Sequence, residues 1–120
     1  MHFTAALDLA KGAGRCNCTV CTKLGLVGVI VRPEAVVLTA GEQDLQSYVR
    51  GPISTRYFCK TCGTHVFGRG HHAHMGGDYA SVNINTLDDV DPNTLSLIHW
   101  DGRHDNWQAG PPPEPWPIFV

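Results

Sequence analysis

The sequence predicts an all-β domain. Three observations carry this expectation: frequent turn residues (13 glycines and 8 prolines in 120 residues), short β-prone segments between them, and sparse helical signals. His2 to Leu9 alternates, with Phe3, Ala5, Leu7 and Leu9 on one face, as a half-buried strand requires. Val27 to Val31 is a β-branched run suited to a buried strand. Val36 to Thr39 and Leu45 to Val49 are two further strand candidates. Thr55 to Phe58 leads into a cysteine pair, and Thr64 to Phe67 leads out of it. Ala80 to Asn85 alternates again, with Val82 and Ile84 on one face. Leu95 to Trp100 is the last strand candidate. Two short helical turns are expected, one over Thr19 to Leu24 and one after Asp91-Pro92, where an N-cap residue precedes proline at the first helical position.

The length suits one domain, residues 1–109, followed by a proline-rich piece, residues 110–120. Proline stiffens that piece into an extended strap. Trp116, Ile118 and Phe119 need cover, so the strap is expected to lie on the domain rather than serve as a docking peptide. No internal repeat is visible.

Composition narrows the function classes. The net charge is −2, and the nine basic residues are scattered from Lys11 to Arg103. A nucleic-acid surface needs clustered lysine and arginine, so none is expected. The longest apolar stretch, Leu26 to Val31, is too short to cross a bilayer. Met1 to Gly12 lacks the basic leader and apolar segment of a secretory signal, which makes the cytoplasm the default location. There, closely spaced cysteines serve as metal ligands or redox groups more often than as disulfides.

The five cysteines fall into two groups, Cys16-Asn-Cys18-Thr-Val-Cys21 and Cys59-Lys-Thr-Cys62-Gly63. A C-x-x-C turn puts two sulfurs on one side of a tight knuckle. Zinc uses that arrangement, binding sulfur at about 2.3 Å with tetrahedral angles. A structural zinc takes four protein ligands, whereas a catalytic one takes three and leaves a position open. Cys16, Cys18 and Cys21 supply three, while Cys59 and Cys62 supply two. Two other arrangements stay open: one shared four-ligand site with a cysteine left over, or a redox C-x-x-C. The redox motif expects a βαβ context that the sequence lacks.

Arg15-Cys-Asn-Cys-Thr-Val-Cys21, Tyr57-Phe-Cys-Lys-Thr-Cys-Gly-Thr64 and Val82-Asn-Ile-Asn-Thr-Leu-Asp88, in that order, resemble the family of glutathione-dependent formaldehyde-activating enzymes and centromere protein V. The likeness runs from about Met1 to Trp107. It implies a β-tent of packed antiparallel sheets built around zinc. It assigns Cys16, Cys18 and Cys21 to a catalytic-type zinc, and Cys59 and Cys62 to a structural zinc. The family completes the structural site with a second C-x-C ahead of the first strand. That segment is missing before Met1, so one zinc site is expected and the second is incomplete in this sequence. A start upstream of Met1 is the favoured explanation. A ligand from His65, His71, His72 or His74 is the alternative.

The resemblance further implies carbon–sulfur lyase chemistry on the adduct of a small aldehyde and a thiol of the glutathione type. The expected partners are therefore small molecules. A three-thiolate zinc suits thiolate handling, because a coordinating thiol loses its proton. The new hydroxyl also needs a proton, for which His65, His71, His72 and His74 are the candidates. Segment His99 to Trp107 is expected to be structural, with Trp100 packed on Trp107, or to line a pocket through Arg103 and His104. The rival reading is a zinc-stabilised binding module without catalysis, its first site closed by a fourth protein ligand.

Overall fold

A computed structural model describes residues 1–52, 54–112 and 114–118, with the side chain of Arg50 left aside. Strands β1 (His2–Ala5), β2 (Ala13–Cys16), β3 (Gly28–Val31), β4 (Val36–Ala40), β5 (Leu45–Arg50), β6 (Ser54–Cys59), β7 (His65–His72), β8 (Gly77–Asn83) and β9 (Leu97–Trp100) carry the fold. The single α-helix among the described residues is α1 (Thr19–Leu24), and short 3-10 turns fill the connections. The all-β expectation holds. The chain divides into two compact units, one of residues 1–7 and 30–83, the other of residues 8–29 and 84–120.

In the first unit β5, β6, β7 and β8 form an antiparallel meander. Strands β1 and β4 pair separately, with Phe3 opposite Leu38. Val36, Val66, Phe67, Ala80 and Val82 are all at most 4% exposed, and the start of β7 is buried on both faces, from His65 to Gly68. Phe67 is the centre of this core. Its ring stacks on Tyr57 at 5.0 Å and meets Phe3 at 5.9 Å. Burying such a side chain contributes about 1.5–3 kcal/mol.

The meander carries one irregularity. Tyr57 pairs with Phe67, but Phe58 pairs with His65, so a bulge lies between them. A bulge changes which face the following side chains take. It brings His65 onto the face of Phe58 and of Arg56, which stands opposite Gly68.

In the second unit β2 pairs antiparallel with β3 through Gly14 and Gly28, and parallel with β9 from Ala13–Leu97 to Cys16–Trp100. This parallel pair stands beside the antiparallel pairing expected, which the other strand pairs described above follow. Ala13, Leu26, Val27 and Ile84 form the buried apolar centre here. The helix ends as the sequence requires: Gly25 takes a left-handed conformation (φ 62°), and Leu26 N–H closes onto the Cys21 carbonyl at 3.1 Å.

Several boundaries differ from expectation, three of them for reasons visible in the structure. The first strand stops at Ala5, because the Asp8 carboxylate accepts from Ala10 N–H at 3.0 Å and starts a 3-10 turn. The alternation of exposure nevertheless continues through Leu9. The strand of Ala80 ends at Asn83, and Ile84 opens a turn whose N–H reaches the Val27 carbonyl at 2.8 Å. The strand after the second cysteine pair runs on to His72, through two glycines. In the terminal piece, Trp116 Nε1 donates to the His99 carbonyl at 3.1 Å, while Phe119 lies outside the described residues.

Candidate metal centre

Strand β2 ends on Cys16, Asn17 turns the chain, Cys18 caps α1, and Cys21 follows in its first turn. This strand-to-helix corner folds the three sulfurs together. Their Sγ atoms all lie within 4.8 Å of one another. Cys18 N–H donates to Cys16 Sγ at 3.4 Å, fixing the inner corner.

The donor set fits a soft divalent cation. Three ligands on zinc at about 2.3 Å would stand about 3.8 Å apart, inside the observed spacing. Hydrogen bonding from Cys16 and Cys18, then burial, pushes the Cys21 thiol far up, while the Cys18 thiol raises Cys16 against a smaller lowering from Cys21. Three sulfurs this close cannot all ionise unless a cation compensates them, and a bound metal releases those protons. Among the described residues no fourth histidine, cysteine or carboxylate joins the group.

Residues far along the chain brace the corner. Asn17 Nδ2 donates to Asp101 Oδ1 at 2.7 Å and to the Pro117 carbonyl at 3.3 Å. Asn17 Oδ1 accepts from Arg103 N–H at 3.0 Å, and its carbonyl accepts from Arg103 Nε at 2.8 Å. Asp101 is only 5% exposed and is the hub of this cluster. Its Oδ1 also lies 2.6 Å from His104 Nδ1, and Asn106 Nδ2 donates to Oδ2 at 3.4 Å. Burial alone would raise the Asp101 carboxyl; the bonds from Asn17, His104 and Asn106 outweigh it and hold the group below its ordinary value.

Gly102 touches the metal corner directly. A Cβ there would stand 2.5 Å from Cys16 Sγ and 2.7 Å from the Trp107 ring. Trp107 packs at 6.3 Å from Trp100, and its indole N–H donates to Asp105 Oδ1 at 2.6 Å. The expected Trp100–Trp107 packing is present. Sequence reasoning named Arg103 and His104 only as pocket lining and missed Asn17 and Asp101. The Asp101-x-x-His104 spacing was the available signal.

The second cysteine pair belongs to the first unit. Gly63 N–H donates to the Cys59 carbonyl at 2.7 Å, and Gly63 takes φ +78°. Cys62 is exposed, and its thiol donates to Thr64 Oγ1 at 3.2 Å. The Thr64 side chain, then its backbone, holds the Cys62 thiol below its ordinary value. Among the described residues no histidine completes a three-ligand group with Cys59 and Cys62. His65 is 8% exposed, and among the described residues its buried Nε2 has no hydrogen-bond partner. Burial, then the Arg56 charge, pushes its pKa down to about 4. His71 Nδ1 lies 2.7 Å from Asp78 Oδ1, and the rings of His72 and His74 stack at 5.1 Å, all on exposed surface.

The profile of the family described as glutathione-dependent formaldehyde-activating enzyme matches residues 4–100. The chain belongs to this family. A Penicillium rubens protein carrying that same description in provisional form is 36% identical over 76 residues, covering 58% of this chain and 39% of the relative. A Colletotrichum graminicola protein with the same provisional description matches to the same extent. This chain therefore spans about two-fifths of the length of those relatives. The fold is similar to a Rhodobacter sphaeroides crystal structure at TM-score 0.68 and 25% identity, covering 82% of this chain and 89% of that one. The family match includes all the cysteines and ends at Trp100, one residue before Asp101. No helix of the described residues is long and apolar enough to cross a membrane.

Proposed function

We propose that this chain is a zinc-dependent carbon–sulfur lyase-type enzyme, making or breaking the adduct of a small aldehyde and a thiol of the glutathione class. The observation that carries this reading is the cluster of Cys16, Cys18 and Cys21, three sulfurs within 4.8 Å with no fourth ligand among the described residues. Family membership supplies the substrate class.

Cys16, Cys18 and Cys21 would hold the zinc. When bound, it supplies a cationic partner that favours the thiolate form of a substrate thiol. The chain's own residues do the rest. The Asn17 amide, gripped by Asp101 and Arg103, keeps Cys16 and Cys18 in register with Cys21. Gly102 leaves the Cys16 sulfur uncrowded, and the half-exposed Trp107 forms an apolar wall beside it. Such a wall suits a small uncharged aldehyde better than a second anion. Cys59 and Cys62 would take part in a separate structural zinc site whose remaining ligands lie outside this pair.

The test is metal analysis of protein purified with metal retained, combined with a panel of thiol and aldehyde pairs followed by NMR. Zinc that depends on Cys16, Cys18 and Cys21, together with accelerated adduct exchange for at least one pair, supports the reading. Protein without zinc ends it. Zinc with no accelerated pair points instead to a metal-stabilised binding module.

A further inference from the structure

We propose that Asp101 and His104 form a proton-carrying dyad for the cysteine site, in which His104 Nε2 moves the proton between the substrate sulfur and the oxygen of the adduct. The proposal rests on the carbon–sulfur reading above and names a catalytic group for it.

The geometry fixes the imidazole. Asp101 is buried, yet the three side chains on its oxygens keep it ionised. An ionised carboxylate only accepts hydrogen bonds, so the proton between them belongs to His104 Nδ1. Nε2 of the neutral ring then carries the free lone pair, the tautomer a general base needs. Among the described residues nothing bonds to Nε2, and the His104 side chain is 37% exposed, open to a small molecule.

The dyad is built into the metal corner. His104 closes the 3-10 turn Gly102–His104, and the first residue of that turn lies against Cys16 Sγ. The carboxylate that orients His104 also holds Asn17, the residue between Cys16 and Cys18. One buried group therefore orients both the base and the ligand loop, as partners of metal sites commonly do. The other histidines fit the task less well. His65 is buried, His71 pairs with the largely exposed Asp78, and the rings of His72 and His74 stack on each other. His99 is 8% exposed. The family match stops before Asp101, so the dyad is a reading of this chain's own residues.

The step balances without redox change. A sulfur lone pair forms the bond to the carbonyl carbon while the C=O π pair moves onto oxygen. The proton leaving sulfur passes to Nε2 and from there to that oxygen, which returns His104 to its starting form. The reverse sequence breaks the adduct.

The experiment compares zinc-loaded wild type with His104→Ala, His104→Gln and Cys18→Ser, using glutathione and formaldehyde as probes and exchange NMR for the rate. His104→Ala is expected to lose about 10²–10⁴-fold in kcat, the usual worth of a general base, with KM and zinc content little changed. Added imidazole should restore part of the rate to His104→Ala and none to Cys18→Ser, a response that a structural histidine would not give. In ¹⁵N spectra of the wild type, His104 should show its proton on Nδ1. Unchanged kcat in His104→Ala overturns the dyad, as does a loss with depleted zinc and no imidazole rescue. If zinc-loaded wild type accelerates no thiol–aldehyde pair, the functional reading itself fails and the dyad falls with it.

Discussion

Gly102 lies against the Cys16 sulfur with no room for a side chain: a Cβ at this position would stand 2.5 Å from Sγ and 2.7 Å from the Trp107 ring. The constraint is steric, since Gly102 is not among the glycines at positive φ. Gly102→Ala should push either the sulfur or the indole out of place. Zinc affinity is expected to fall by about 10–100-fold, the range for residues that support ligands. A competition titration against a chromophoric chelator measures it; affinity equal to wild type would refute the contact.

Loss of a ligand should be more severe than loss of its support. Cys21→Ser removes a sulfur that both other thiols approach. The variant is expected to release the metal bound at this corner. A ligand present at a thousand times its dissociation constant stabilises a fold by about 4 kcal/mol. Wild type should therefore show a marked rise in Tm with zinc that Cys21→Ser lacks. Equal rises in both would refute this assignment.

His65 makes stability depend on pH. Its folded pKa is lowered from 6.5 to about 4 by burial and by Arg56. Between those values the unfolded chain binds the proton and the folded chain does not, so stability falls as pH drops through that window. Urea unfolding at pH 7 and at pH 4.5 should show this loss. His65→Gln, which cannot titrate, should flatten that part of the profile; an unchanged slope would contradict it.

The first unit depends on one ring. Phe67 is 2% exposed and meets both Tyr57 and Phe3. Phe67→Ala is expected to cost about 3–5 kcal/mol by lost burial and an unfilled cavity. Denaturant midpoints check the value, and a cost below 1 kcal/mol would mean that the core had collapsed around the gap.

Legibility in the sequence followed the distance between interacting residues. The three cysteines stand within six positions, so a strand, a turn and the start of a helix suffice to cluster them, and their pattern showed in the sequence. Thr19–Leu24 was legible for the same reason, since its Gly25 stop is local. Asn17 and Asp101 are 84 positions apart, and no local pattern announces that bond. The strand expected over Thr64 to Phe67 stops short of Gly68 and Gly70. They sit inside β7 because neighbours on both sides supply a hydrogen-bond ladder that outweighs their weak propensity. The bulge that turns His65 inward was also invisible, since a register shift is a property of two paired strands.

The bonds from Asn17 to Asp101 and Arg103 join positions 84 and 86 residues apart. During synthesis the sulfurs therefore emerge long before the residues that brace them. At about 5–20 residues per second, the interval lasts several seconds. A metal captured in that interval would be held by an unbraced corner, and the grip would tighten only after the later segment docks. Metal capture can in this way precede the end of folding, as a separate step, for this chain.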